Sequence, residues 1–307
     1  MSDAQLARVD PLIVNLTIAK GLVGLESLDV DRYRRFVDDL ANRIRAGLSA
    51  SEPSEMTSEL YLKDPDLWRV GSMAVALAGP SIGIDYSDAP LTTPDPKLLF
   101  VHGVIDTRRG TCSSMPVLYL AIAHRLGWPL KAVVAGDHFW CRWDDGVPGG
   151  KRFNIEATSA ASDGTTGSFS SAPDAEYRER LGVQPVAKRV GSDLASLTPR
   201  QTLGVYLQTR AACWSSRGDW ERAEHDLLLA RVCFPENRDI FAFLVQVMHE
   251  RAGLIFTESE RWNLAPRLPL GQPRAPATRK SPGDPLEHLR RVQEFNESTR
   301  RRQFGGP

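Results

Sequence analysis

Cysteine is scarce in this chain: four in 307 residues, at Cys112, Cys141, Cys213 and Cys233. No two of them form a Cys-x-x-Cys pair, so neither a disulfide framework nor a zinc ribbon is expected, and a reducing compartment fits. An excess of charge is also missing. Basic and acidic residues both number 38, for a formal net charge of zero, which gives no global pull toward nucleic acid or an anionic membrane. Neither glycine-rich phosphate-loop pattern, Gly-x-x-x-x-Gly-Lys or Gly-x-Gly-x-x-Gly, occurs. Long apolar runs are missing too. Leu12 to Leu25 is broken by Asn15, Lys20 and Gly21 and follows no basic leader, unlike a signal peptide or the ~20 apolar residues of a membrane span. His138 and Cys141 are three apart, which would suit metal ligands on a helix but puts them on opposite faces of a strand. The expectation is a cytoplasmic protein with no cofactor, no metal, no nucleic acid and no membrane partner.

What is present is an ordinary globular composition, 42% hydrophobic, with length for one large or two modest domains. Against that background, Arg109-Gly110-Thr111-Cys112-Ser113-Ser114-Met115-Pro116 stands out. Met115 to Leu126 has helical character, with Gly127 as a stop and Pro129 beyond. Proline is tolerated only in a helix's first turn, so Pro116 sets the start a residue or two earlier. Cys112 then falls at or just before the helix N-terminus, with Ser113 or Thr111 as cap. Unpaired N–H groups and the helix dipole there favour a thiolate, and Gly110 is expected to let the backbone turn sharply.

Leu130 to Ala135 reads as a buried strand and His138 to Trp143 as the next. Alternation puts His138, Trp140 and Arg142 on one face and Phe139, Cys141 and Trp143 on the other. Asp144-Asp145-Gly146 with Pro148-Gly149-Gly150 makes a hairpin loop. Lys151 to Thr158 returns as a strand, with Asn154 and Glu156 opposite Phe153 and Ile155. A carboxylate on a returning antiparallel strand can sit beside its neighbour's histidine. Cysteine chemistry needs a nucleophile, a base and a group that fixes the base's tautomer. Cys112 and His138 supply the first two. Glu156 or Asn154 supplies the third.

Cys112, His138 and the Glu156-Ala157-Thr158 segment resemble the transglutaminase-like superfamily, whose papain-like core carries Cys at a helix start and His and Asp on consecutive strands. Glu156-Ala157-Thr158 stands where that superfamily usually has Asp-Pro-Thr, and this resemblance favours Glu156 over Asn154. Arg109-Gly110-Thr111-Cys112 with Leu118-Tyr119-Leu120 and Arg125-Leu126-Gly127 is similar to the bacterial SirB-like branch, which adds tetratricopeptide-type helices, over roughly residues 10 to 260. The resemblance implies an α+β papain-like core and a cysteine-dependent amide hydrolase or acyl transferase with a Cys112-His138-Glu156 triad. Its substrate or partner would be a peptide or protein. A non-catalytic interaction scaffold on the same core is the other reading. A bulky residue filling the thiol pocket would favour the scaffold, and an open groove to Cys112 the enzyme.

The rest of the chain divides as follows. Residues 1–190 are read as the transglutaminase-like domain. Within it, residues 11 to 49 read as helical, with Asp29 or Asp31 opening a second helix. A polar linker follows at Ser51 to Glu59, and a loop at Pro80 to Pro96. His102 reads as a structural histidine. The Ser/Thr/Gly-rich residues 160 to 174 form either a lid or an ordinary connection. Residues 197–265 read as helices. Gly218-Asp219-Trp220, Ala223, Ala230 and Pro235 fall at the spacing of one tetratricopeptide repeat, with Leu207, Ala211 and Trp214 on the preceding helix. One repeat is too few to stand alone, so these helices are expected to dock on the preceding domain. Residues 266–307 read as a basic, mostly disordered tail, with a short helix opening at Asp284-Pro285-Leu286-Glu287.

Overall fold

The computed structural model describes residues 1–50, 64–87, 94–136, 138–159, 172–183 and 191–253. The polar linker, most of the Ser/Thr/Gly-rich stretch and the whole basic tail with its helix start at Asp284 lie outside the described residues. In chain order come the helices α1 (Asp3–Leu6), α2 (Pro11–Ala19), α3 (Val30–Ala50) and α4 (Pro65–Ala78), then strand β1 (Asp85–Tyr86). Next are α5 (Pro96–Leu99), α6 (Val101–Thr107), β2 (Arg109–Gly110) and α7 (Met115–Leu126). Three strands follow: β3 (Leu130–Ala135), β4 (His138–Asp144) and β5 (Arg152–Ile155). A 3-10 turn at Ala157–Ser159 and α8 (Asp174–Arg180) lead to α9 (Pro199–Ser215), α10 (Trp220–Cys233) and α11 (Arg238–Ala252).

The helix starts are written in the sequence. Asp10, Asp64 and Thr198 each precede a proline, and each side chain accepts a hydrogen bond from a first-turn N–H. The proline supplies the helical φ at a position whose N–H would otherwise be unpaired. Asp219 and Asn237 cap α10 and α11 in the same way, without proline. Where no local cap exists, a distant one serves. Buried Asn15 of α2 accepts from the N–H of Val101 at 3.1 Å, at the start of α6.

Helix α7 is the centre of the molecule. Every residue from Met115 to Ala123 is buried, and a helix apolar on all sides belongs inside a core. It packs on α2, α3, β3 and β4. At its end Gly127 takes φ 71°, and the Trp128 N–H returns to the Ala123 carbonyl at 2.9 Å, closing the left-handed cap that glycine permits.

The sheet is antiparallel in the order β3-β4-β5, with Val133 opposite Trp140 and Arg142 opposite Asn154. Alternation sends Phe139, Cys141, Trp143 and Ile155 into the main core with α7. On the other face Val133, Ala135 and Trp140 join Tyr177, Val183 and Leu194 in a second cluster. Strand β4 is therefore covered on both sides, which is why His138 through Trp143 are all buried.

Three expectations shift. Gly110 makes no sharp turn. It lies extended in β2, paired parallel with Tyr86 inside the stretch expected to be loop. Its missing Cβ matters for closeness, because a Cβ would sit 2.5 Å from Met115 Cγ. The strand expected to run to Thr158 ends at Ile155. There the N–H and hydroxyl of Thr158 bend back to the Glu156 carboxylate, and this local bond replaces the ladder.

Helices α9 to α11 share the main core. Tyr206, Leu207, Ala211 and Trp214 belong to the same cluster as Leu12, Leu16 and Phe139. Tyr206 meets Phe139 edge-on at 6.3 Å. Arg210 forms a two-pronged pair with Asp226 at 2.6 and 2.7 Å and donates to the Ile18 carbonyl at 3.2 Å, tying α9 to both α10 and α2.

Candidate active site

Cys112 sits in the turn between β2 and α7, three residues before the first helical residue. The helix cap is Ser114, which makes no side-chain capping bond, so neither Thr111 nor Ser113 takes that position. Thr111 organises the turn instead. Its carbonyl accepts from the N–H groups of Ser114 and Met115, and its hydroxyl accepts from the Ser113 N–H at 3.2 Å and donates to the Leu98 carbonyl at 2.9 Å. Ser114 Oγ accepts from the Thr111 N–H at 3.0 Å. The N–H groups on either side of Cys112 are thus engaged.

His138 opens β4, and Glu156 follows the last residue of β5. Their side chains meet: His138 Nε2 lies 2.5 Å from Glu156 Oε2, with both groups almost fully buried. The other carboxylate oxygen accepts from the Thr158 hydroxyl at 2.7 Å and its N–H at 3.3 Å. Tyr177 of α8 donates to Oε2 at 3.3 Å. Burial raises the carboxyl's pKa, but the facing imidazole and the Thr158 bonds outweigh it and hold Glu156 below its ordinary value.

The imidazole is pushed the other way. Burial lowers its proton affinity, yet the Glu156 charge, a hydrogen bond to Cys112 and the bond to Glu156 together lift His138 to about 10. Cys112 and Glu156 therefore both act on one imidazole. Glu156 takes Nε2, so any exchange of a proton with the thiol falls to the other ring nitrogen, Nδ1. Cys112 itself is 1% exposed.

Asn154, the other candidate for orienting His138, is engaged elsewhere. Its Oδ1 accepts from Trp140 Nε1 at 3.0 Å and Arg142 Nε at 2.8 Å, and its amide donates to Asp174 and the Ala172 carbonyl, each at 2.9 Å. Arg142, buried at 1% exposure, also pairs with Asp174 at 2.5 Å and donates to the Leu194 carbonyl at 2.8 Å. This network joins β4, β5 and the first turn of α8.

Two further side chains reach Glu156, those of Thr158 and Tyr177. A hydroxyl two residues after a buried carboxylate is a usable signal for Thr158. Tyr177 has none, being 21 residues from Glu156 along the chain. His102 lies away from this group, buried in α6 edge-on to Tyr33 at 6.3 Å. No group of three or more His, Cys, Asp or Glu side chains among the described residues is placed to hold a metal ion. Among the described residues no helix is long and apolar enough to cross a membrane.

Helices packed on a small antiparallel sheet place the protein in the α+β class. The chain belongs to the transglutaminase-like superfamily, whose family model matches residues 31–208, more than half of the chain. Curated relatives match over a short stretch. F-box only protein 21 of Mus musculus is 43% identical over 51 residues, covering 17% of this chain and 8% of that protein. The Homo sapiens and Pongo abelii proteins of that name are 45% identical over 51 residues, with the same coverage. The chain thus spans less than a tenth of the length of these relatives. No solved structure matches it.

Proposed function

We propose that the protein is a cysteine-dependent amide hydrolase or acyl transferase acting on a peptide or protein. Cys112 is the nucleophile, His138 the base and then the acid, and Glu156 the group that orients His138. The observation that carries this reading is the buried 2.5 Å contact of His138 with Glu156, made by an imidazole whose proton affinity Cys112 also raises.

In this mechanism the thiol proton rests on His138, which Glu156 keeps charged, and the Cys112 thiolate attacks the amide carbon. The Cys112 N–H stabilises the oxyanion. Collapse of the tetrahedral intermediate breaks the C–N bond, and His138 gives its proton to the departing amine, leaving a thioester. Water or a second amine, deprotonated by His138, then releases the acyl group and restores the thiol. Hydrolysis is favoured over transfer because no amine-acceptor site is recognisable in the sequence. Within the superfamily we place the chain in the SirB-like branch, with α9 to α11 as its tetratricopeptide-type helices.

The scaffold reading has its own observations. Cys112 is nearly sealed from solvent, and α10 and α11 expose Leu228, Leu229, Val232 and Met248. An unfolded polypeptide substrate incubated with a fluorescent primary amine distinguishes the outcomes. Amine incorporation marks transfer, and new chain ends or conversion of a side-chain amide to a carboxylate mark hydrolysis. The enzyme reading requires that Cys112→Ala abolish whichever is seen. Turnover that persists in Cys112→Ala contradicts it.

A further inference from the structure

Between β5 and α9 the described residues contribute one aromatic side chain to the site from outside the sheet. Tyr177 is 1% exposed and lies on α8, whose position is fixed independently of the site. Asp174, one turn before it, is held by Arg142 and Asn154. That anchor sets Tyr177 against Trp140, ring centroids 4.3 Å apart and planes 9° apart. The same ring lies in an offset stack on His138, at 6.1 Å and 18°, while Trp140 stacks on His138 at 5.4 Å and 20°. Three nearly parallel rings leave the imidazole little freedom to swing out of plane.

Taking the Cys112-His138-Glu156 group as catalytic, we infer that Tyr177 is a positioning residue for it: its ring holds the plane of His138 and its hydroxyl holds Glu156 Oε2. The geometry explains why one residue does both. Oε2 is the oxygen that faces His138 Nε2, so a donor on Oε2 fixes the carboxylate's rotation at the atom the imidazole uses. Thr158 fixes the other oxygen. Burial and the neighbouring carboxylate keep the Tyr177 hydroxyl protonated, hence a donor, throughout the ordinary pH range. At 3.3 Å this bond is weak, so the hydroxyl is expected to tune the pair and the ring to position it.

The consequence is a pH signature. Groups that act on Glu156 are His138 and Cys141 from β4, Tyr119 from α7, Thr158 from its own turn and Tyr177 from α8. Cys112 reaches it through His138. A hydrogen bond donated to a carboxylate favours its charged form, so removing the Tyr177 donor makes Glu156 easier to protonate. Reactivity that depends on ionised Glu156 then begins to fail at a higher pH.

The test is the rate at which iodoacetamide labels Cys112 in the full chain, followed by peptide mass spectrometry from pH 4 to 9. Tyr177→Phe keeps the stack and is expected to slow labelling roughly two- to tenfold, the range of one weak hydrogen bond. It is also expected to move the acid limb upward by about half a unit, with the melting temperature nearly unchanged. Tyr177→Leu removes the stack as well and should slow labelling further than Tyr177→Phe at equal fold content by circular dichroism. Wild-type rates and an unmoved acid limb in Tyr177→Phe, alongside slow labelling in Glu156→Gln, would overturn the role of Tyr177 while leaving the site intact. If Glu156→Gln also labels like wild type, the catalytic reading beneath it fails instead.

Discussion

Replacing Glu156 with glutamine keeps the side chain's size and removes its charge. The amide then faces two demands it cannot meet together. His138 Nε2 and the Thr158 N–H and hydroxyl lie on opposite oxygens of the present carboxylate. Turning the amide NH2 toward His138 forces Nε2 to accept, which puts the imidazole proton on Nδ1, where the thiol proton should go. Turning NH2 toward Thr158 sets it against the N–H there. In both cases burial becomes the dominant influence on the imidazole. Its proton affinity should fall from about 10 toward or below its ordinary value near 6.5. The lost stabilisation of the imidazolium is on the order of 5 kcal/mol. Because the imidazole adjusts its tautomer and position, the loss of rate should be smaller, about ten- to ten-thousand-fold. Cys112 labelling at pH 7 reads this without a known substrate, and thermal melting reports whether the fold survives. Unchanged labelling in folded Glu156→Gln would refute the reasoning. A collapse in Asn154→Ala beside that result would move the orienting role to Asn154, against the bonds that Asn154 makes to Trp140, Arg142 and Asp174.

The remaining expectations concern stability. The His138 proton affinity is raised on folding, so its contribution is fully present below about pH 6.5 and is lost as the pH rises toward 10; that of Glu156, lowered on folding, is present above about 4.5 and lost as the pH falls below it. The melting temperature of wild type minus that of a His138→Ala, Glu156→Ala double variant should therefore be largest between roughly pH 4.5 and 6.5 and shrink on both sides; a flat difference would contradict the pairing. A chain ending at Ser196 loses Tyr206, Leu207 and Trp214 from the shared core, each worth about 1.5–3 kcal/mol of burial. It should aggregate or melt well below the full chain. Melting unchanged from the full chain would instead make α9 to α11 an independent module.

Much of the site was readable because its chemistry imposes local patterns. Proline at the second helical position, glycine after Leu126 and the alternation along His138 to Trp143 fix the elements that carry Cys112 and His138. The hairpin loop returns the chain so that Arg142 faces Asn154, which brings Glu156 near His138. What escaped the sequence depended on contacts far apart in the chain. Nothing near Tyr177 announces that α8 is pinned by Arg142 and folds over His138. Nothing in Asn15 tells that it caps α6, 86 residues away. Gly110 serves close approach rather than a turn, and a glycine needed for either looks the same in sequence. The choice between Glu156 and Asn154 was open from alternation alone, since both lie on one face. The family resemblance favours Glu156, and the distances put Glu156 rather than Asn154 beside His138.

The central claim is that Cys112 is the chemically activated thiol, and competition among the four cysteines tests it directly. Accessibility alone points elsewhere: Cys112, Cys141 and Cys213 are buried, while Cys233 is half-buried. Burial raises the thiol pKa of Cys141, Cys213 and Cys233 above the ordinary value of 9, so at pH 7 each is about 1% thiolate or less. Cys112 has His138 to take its proton. The full native chain is treated at pH 7 with less than one equivalent of iodoacetamide, and the label is located by peptide mass spectrometry. The account predicts that Cys112 carries most of it, at roughly ten times or more the rate of Cys233. Label found chiefly on Cys233, or spread evenly over all four, would contradict a catalytic Cys112.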